Sequence, residues 1–188
     1  MALSKDVTDA SVRILIVEDS PTQAEELKYL LEEHAYRVTV AATGKQALLA
    51  ALRERPALIL SDIVMPEMDG YAFCKAVKSD DQLKDVPVIL MTSLSSAGDV
   101  VKGLQCGADN FIRKPYEDKY LLARINYALT NRTLRNGEKL QIGLHILLGG
   151  ERHFITADRQ QILDLLISTY EEMRVALLSC DCPAQIEL

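Results

Sequence analysis

The chain alternates short runs of branched apolar residues with longer stretches in which apolar residues recur every three or four positions. Ile14-Leu15-Ile16-Val17 is an unbroken apolar run, the pattern of a strand buried on both faces. Glu18-Asp19-Ser20-Pro21 closes it, and Pro21 suits the first turn of a helix whose Ala24, Leu27, Leu30 and Leu31 share one face. The alternation then repeats. A strand over 37–41 is broken by Gly44, and the helix after it turns Ala47, Leu48, Ala51 and Leu52 inward. A strand over 57–60 ends at Ser61-Asp62. A loop with Pro66 and Asp69-Gly70 leads from it into a short helix through Phe73, Cys74 and Val77. A strand over 88–91 ends at Thr92-Ser93 and precedes a helix around 97–105. A strand over 110–113 ends at Lys114-Pro115 and precedes a helix over about 117–130, with Leu121, Leu122, Ile125 and Leu129 inward. Five strand–helix units with short connections predict an α/β fold. The sheet is parallel, covered by helices on both faces, and fits the doubly wound order 2-1-3-4-5.

Past residue 131 the pattern changes. Residues 132–138 read as a polar connector. Leu140, Ile142, Leu144 and Ile146 alternate with Gln141, Gly143 and His145, Gly149-Gly150 supplies a turn, and Arg152 to Thr156 returns. A β-hairpin over 139–156 follows from this. Asp158 is placed to cap a helix over 158–180, with Gln161 as capping partner. In that helix Leu163, Leu166, Tyr170, Met173, Leu177 and Cys180 form a heptad seam. Two uses of the seam stay open: a helix lying on the hairpin, or a parallel homodimer through residues 139–180. Residues 1–10 read as a disordered N-terminus and 181–188 as a loose C-terminus.

Composition narrows the class. With 48% hydrophobic and 26% charged residues over 188 positions, the chain is ordinary for a soluble domain. A net charge of −6 argues against a nucleic-acid surface, which carries a basic excess. No apolar run approaches the ~20 residues of a membrane span, and the N-terminus lacks a signal core. The expectation is a cytoplasmic protein. Cys74, Cys106, Cys180 and Cys182 form no C-x-x-C pair and read as reduced thiols. His34, His145 and His153 do not cluster with them at zinc spacing.

The candidate chemistry lies at the strand ends. In a doubly wound sheet the functional crevice opens beyond the carboxyl ends of the strands. The order 2-1-3-4-5 brings Glu18-Asp19, Asp62, Thr92 and Lys114 to one pocket. Three carboxylates about 4 Å apart repel by about 4 kcal/mol per pair at an effective dielectric near 20, so a cation belongs among them. Oxygen donors without Cys or His select a hard ion, Mg²⁺ first and Mn²⁺ second. Asp62, alone on the middle strand, is the candidate nucleophile, because a carboxylate can form an acyl phosphate in such a site. Glu18 and Asp19 would hold the metal, Asp62 would share it, and the main-chain carbonyl of Val64 is a further ligand. Lys114 can pair with a phosphoryl oxygen as a point charge, and the Thr92 hydroxyl can donate to another.

These residues carry a resemblance. The acidic pair Glu18-Asp19, Asp62, the loop Met65-Pro66-Glu67-Met68-Asp69-Gly70, Thr92-Ser93, and Phe111 followed by Lys114-Pro115 resemble the response-regulator receiver domain of two-component signalling, over about residues 11–131. The resemblance implies a flavodoxin-like fold in which Asp62 accepts a phosphoryl group from a sensor histidine kinase or a phosphotransfer protein. It implies a cis Lys114-Pro115 peptide and Phe111 as a switch aromatic coupled to Thr92. Signalling would then be a population shift around the helix after strand four, strand five and the last helix of the unit. A phosphoacceptor of this kind is not an enzyme beyond slow self-catalysed phosphorylation and dephosphorylation. Glu18 stands where Asp is commoner. Val64 and Leu94 are apolar beside the implied path of the attacking water, which predicts a long-lived phosphoryl group.

The stretch from Leu144 to Met173 resembles the connector after receivers in some hybrid sensor kinases. No kinase phosphoacceptor motif, ATP-binding segment or helix-turn-helix is found. The chain therefore reads as a receiver without a DNA-binding output, or as the receiver portion of a hybrid histidine kinase-like protein. A Mg-dependent small-molecule phosphatase of the haloacid type would need an Asp where Val64 stands. A flavin binder would need a Ser-, Thr- and Gly-rich loop in place of Glu18-Asp19.

Overall fold

The structure is a computed structural model, and it describes residues 12–93, 102–103, 105–134, 141–148 and 151–158. Its elements run β1 (Arg13–Val17), α1 (Pro21–Glu33), β2 (Arg37–Ala41), α2 (Gly44–Arg53), β3 (Leu58–Asp62), α3 (Gly70–Ser79), β4 (Val88–Thr92), β5 (Asn110–Arg113), α4 (Asp118–Leu134), β6 (Gln141–Leu148) and β7 (Glu151–Asp158). Residues 102–103 and 105–106, between β4 and β5, are helical. The sheet is all parallel, as the alternation of elements predicts, and its order is β2-β1-β3-β4-β5, the doubly wound order that the five units fit.

The sheet splits the core in two because successive strand side chains point to opposite faces. Leu15, Val17, Ile59 and Leu90 meet Ala47 and Ala51 of α2 and Phe73, Cys74 and Val77 of α3 on one face. Ile14, Ile16, Leu58, Leu60, Ile89 and Met91 meet Leu27 and Leu31 of α1 and Leu121 and Ile125 of α4 on the other. Covered on both sides, these strands need no polar alternation, which is why they read as solid apolar runs.

Local chemistry sets the helix starts. Thr43 caps α2 by accepting from the Gln46 N–H at 3.3 Å. Asp69 caps α3 by accepting from the Ala72 N–H at 2.7 Å. Gly44 therefore opens α2 rather than only ending β2. The inward faces differ from expectation in detail. Leu52 is exposed, and α2 faces the sheet with Ala47 and Ala51, whose small side chains permit close approach. In α4 the buried positions are Leu121, Arg124, Ile125 and Ala128, while Leu122 and Leu129 are half-buried. The Arg124 guanidinium lies 5.1 Å from the centre of the Tyr120 ring, a cation–π contact that suits its burial.

The hairpin forms as an antiparallel pair with Leu148 opposite Glu151 and Gln141 opposite Asp158. The return strand runs to Asp158, two residues beyond the expected end at 156. The N-terminal segment, most of the connector expected over 132–138, most of the helix expected around 97–105, the helix beyond Asp158 and the C-terminal end lie outside the described residues. Among the described residues no helix is long and apolar enough to cross a membrane.

Candidate functional site

β3 extends to Asp62 and β4 to Thr92, so both side chains sit on the last residue of a buried strand. Register makes their neighbours definite. Asp62 pairs with Met91, and Thr92 pairs with Arg113 just before Lys114. The Lys114 N–H donates to the Thr92 carbonyl at 2.7 Å, which pins the start of the β5–α4 loop to the end of β4. The Lys114–Pro115 peptide is cis, as the resemblance implies.

The acids are oriented by main-chain donors. The Glu18 N–H donates to the Ala41 carbonyl at 3.1 Å, and the Ser20 N–H reaches the Glu18 Oε1 at 3.3 Å. The Ile63 N–H donates to the Asp62 Oδ1 at 2.7 Å. Gly70, whose N–H donates to the Ile63 carbonyl at 2.9 Å, brings the start of α3 hard against this turn. A Cβ at Gly70 would overlap the Asp62 carbonyl oxygen, so the close approach requires glycine. The loop between β3 and α3 leans on α2: Met68 packs over Gly44, and the Lys45 ammonium pairs with Glu67 at 2.8 Å.

Glu18 is 2% exposed, Asp62 is partly buried and Asp19 is exposed. One carboxylate oxygen from each lies within 4.8 Å of the others, so the three form a site that can hold a metal ion. The Lys114 ammonium donates to the Glu18 Oε2 at 2.9 Å, the Asp62 Oδ2 at 3.1 Å and the Gln23 Oε1 at 2.9 Å. Burial by itself would lower the Lys114 pKa. The Glu18 hydrogen bond and the charges of Asp62 and Glu18 outweigh it and hold the pKa above the ordinary lysine value. Three carboxylates against one ammonium leave a local charge of −2, which matches one divalent cation.

Thr92 is buried at 7% exposure. Phe111 is half-buried, pairs with Leu90 and packs against the same core cluster, with its ring over Gly103. A Cβ on Gly103 would overlap that ring. Because Leu90 and Thr92 share a face of β4, Thr92 and Phe111 lie on one side of the sheet. Val64, two residues after Asp62, has its side chain 57% exposed, and Leu94 lies outside the described residues. Three participants have no signal in the sequence. Gln23 reaches Lys114 from the first turn of α1, Gly103 seats the Phe111 ring, and Lys45 braces the β3–α3 loop.

Residues 14–126 match the family described as the response regulator receiver domain. The chain belongs to the response regulator receiver family. Among curated relatives, the receiver together with part of the C-terminal segment is 34% identical over 175 residues to the probable transcriptional regulator ycf27 of Cyanophora paradoxa, covering 85% of this chain and 72% of that protein. The receiver is 40% identical over 115 residues to the response regulator PleD of Caulobacter vibrioides, covering 61% of this chain and 25% of PleD. Among solved structures, the receiver domain of a signal transduction histidine kinase from Syntrophus aciditrophicus is 45% identical. It superposes with a TM-score of 0.62 over 70% of this chain and 98% of that one. The receiver domain of the sensor histidine kinase PA1611 from Pseudomonas aeruginosa, solved with a magnesium ion coordinated in its active site cleft, is 31% identical. Its TM-score is 0.60 over 63% and 97% of the two chains.

Proposed function

We propose that this receiver accepts a phosphoryl group on Asp62 from a partner histidine kinase or phosphotransfer protein and passes the signal on as a change in its protein–protein contacts. The observation that carries this reading is the Lys114 ammonium bonded to both Glu18 and Asp62, with Asp19 completing an acidic cluster at the carboxyl edge of the sheet. Glu18, Asp19, Asp62 and the main-chain carbonyl of Val64 are the residues that would hold Mg²⁺. When bound, that ion supplies positive charge against the phosphoryl oxygens.

The chain's own groups account for the rest. The Ile63 N–H holds the Asp62 Oδ1, which keeps the carboxylate in one orientation while its other oxygen faces Lys114. Attack of an Asp62 oxygen on phosphorus forms the O–P bond as the donor's N–P bond breaks. The aspartate charge is then replaced by charge on the phosphoryl oxygens. Lys114 follows that charge from the carboxylate to a phosphoryl oxygen, and the Thr92 hydroxyl donates to another. Thr92 and Phe111 lie on one side of the sheet, so a displaced Thr92 changes the space open to the Phe111 ring. Self-catalysed loss of the phosphoryl group is slow, since Val64, which the resemblance sets beside the path of the attacking water, offers no general base.

A second reading is favoured by the 45% identity to the receiver of a histidine kinase. In it, this receiver is a portion of a hybrid histidine kinase-like protein, and residues 139–180 connect or dimerise it. The test of the first reading is acetyl phosphate with Mg²⁺ followed by intact mass. Wild type gains about 80 Da, one phosphoryl group, and Asp62→Asn does not. Labelling that survives Asp62→Asn removes the assignment.

A further inference from the structure

Two of the four cysteines, 32 positions apart in the sequence, come together outside the acidic site. The Cys74 thiol, on the buried face of α3, donates to the main-chain carbonyl of Cys106 at 3.5 Å. The Cys106 thiol donates to the Gly103 carbonyl at 3.0 Å. Both are free thiols. Both are buried, Cys74 at 0% and Cys106 at 5% exposure, but Cys106 lines a groove of about 580 Å³ that also includes Val64, Ala72, Lys75 and Lys102.

We propose that Cys74 and Cys106 are a modification site, a dithiol that small hydroperoxides convert to an intramolecular disulfide tying α3 to the helical residues just before β5. Their chemistry divides the roles. The neighbouring Cys74 thiol lowers the Cys106 thiol pKa, and Lys78 nearby favours the thiolate further. The Cys106 side chain beside it and full burial push the Cys74 thiol well above its ordinary value, so it stays protonated as the donor to the Cys106 carbonyl. Cys106 is thus the attacking sulfur. Its thiolate takes one peroxide oxygen as the O–O bond breaks, giving a sulfenic acid and releasing hydroxide, or alkoxide from an organic peroxide. The Cys74 sulfur then displaces the sulfenic oxygen, which leaves as water with the Cys74 proton. One S–S bond forms, the thiol pair loses two electrons, and the peroxide gains them. The disulfide would fix the segment that carries Gly103, the seat of the Phe111 ring.

The experiment uses the full chain with Cys180→Ser and Cys182→Ser, which removes the other pair. The folded protein is treated with hydrogen peroxide at low molar excess, quenched, alkylated and mapped by mass. The expected result is a loss of about 2 Da and a cross-linked peptide pair containing Cys74 and Cys106, reversed by a thiol reductant. Oxidised protein melts higher than reduced protein. With Cys74→Ser, Cys106 instead accumulates as a sulfenic acid trapped by dimedone. With Cys106→Ser, Cys74 stays unreacted. The proposal is overturned if both thiols of the folded chain remain alkylatable after treatment. It is equally overturned if Cys106 is oxidised to sulfinic acid while Cys74 stays free. Mapping the unsubstituted chain under the same treatment decides the question without dependence on any variant's folding.

Discussion

Replacing Asp19 by Asn should make this receiver slightly more stable without metal and much less responsive to it. The oxygens of Glu18, Asp19 and Asp62 lie within 4.8 Å of one another. At 4.8 Å two like charges repel by about 3.5 kcal/mol at an effective dielectric of 20 and by about 0.9 kcal/mol in water. Asp19 is exposed, so the water-like figure applies, giving about 2 kcal/mol for its two neighbours. Two terms work against this. Lys114, bonded to both neighbours, attracts Asp19 as well, and the N-terminus of α1 favours an anion by about 0.3–0.5 kcal/mol. The remainder is roughly 0.5–1 kcal/mol of stabilisation in Asp19→Asn, or about 2 °C in Tm.

Metal reverses the order. A ligand held by the folded state at 100 times its dissociation constant adds about 2.7 kcal/mol, about 8 °C for a chain of this size. Asp19→Asn gives up one of the three carboxylates that supply this gain, so its shift at the same Mg²⁺ concentration should fall to about 2 °C or less. Thermal unfolding with EDTA and with millimolar Mg²⁺, on wild type and Asp19→Asn, gives four numbers whose curves must cross. If Asp19→Asn melts clearly below wild type in EDTA, the acid is structural. If it keeps the full Mg²⁺ shift, Asp19 does not belong to the cation site.

Gly103→Ala should cost about 1–3 kcal/mol by forcing the Phe111 ring from its seat, and Phe111→Ala in the same chain should recover most of that loss in a double-mutant cycle read by urea unfolding. Asp109→Ala removes the partner that Lys78 holds at 2.6 Å and the acceptor of the Val88 N–H at 2.7 Å. It should lower stability by about 3 kcal/mol, seen as a lower urea midpoint. Lys114→Met should show the pH signature of a raised lysine. The ion pair stabilises wild type fully below the unfolded lysine pKa of about 10.4 and is lost as pH rises through the higher folded value. The stability gap between the two proteins should therefore hold up to about pH 10 and close above it in alkaline titration followed by circular dichroism. Phosphorylated wild type should keep its label for minutes or longer, because Val64 offers no polar group to a water near Asp62. A label lost within seconds in a mass time course rejects that role.

Most of the receiver fold is legible because its strands are buried on both faces. Ile14–Val17, Leu58–Leu60 and Val88–Met91 must be apolar whichever face a side chain meets, so composition alone marks them. The order 2-1-3-4-5 is one that the five units fit and that the receiver resemblance implies, and it gathers Glu18, Asp19, Asp62, Thr92 and Lys114 at one edge. Helix faces are less legible. Leu52 carries the right spacing yet is exposed, because Ala47 and Ala51 are what let α2 lie close to the sheet. Contacts that depend on a missing atom leave no trace at all. Nothing in the chain marks Gly103 as the seat of Phe111, and nothing ties Gln23 to a lysine 91 positions away. Cys74 and Cys106 likewise look unrelated until α3 and the segment before β5 are laid side by side.

The way the acids are held separates orientation from neutralisation. Main-chain donors at Ile63 and Ser20 fix the Asp62 and Glu18 carboxylates at 2.7 and 3.3 Å, yet each donor is a neutral dipole. The only cation bonded to the cluster among the described residues is Lys114, and it is shared between two acids and Gln23. A structural network would be expected to pair each buried charge, since an uncompensated one is costly. Here the geometry is completed and the charge is left short by two, which is the arrangement of a site whose missing positive charge arrives from outside. Replacing Glu18 by Gln tests this against the alternative that Lys114 alone suffices. If the cluster is built for an added cation, the metal-free protein changes little while the Mg²⁺ shift falls. If Lys114 balances it, the metal-free protein loses stability because its ammonium has lost its more buried partner.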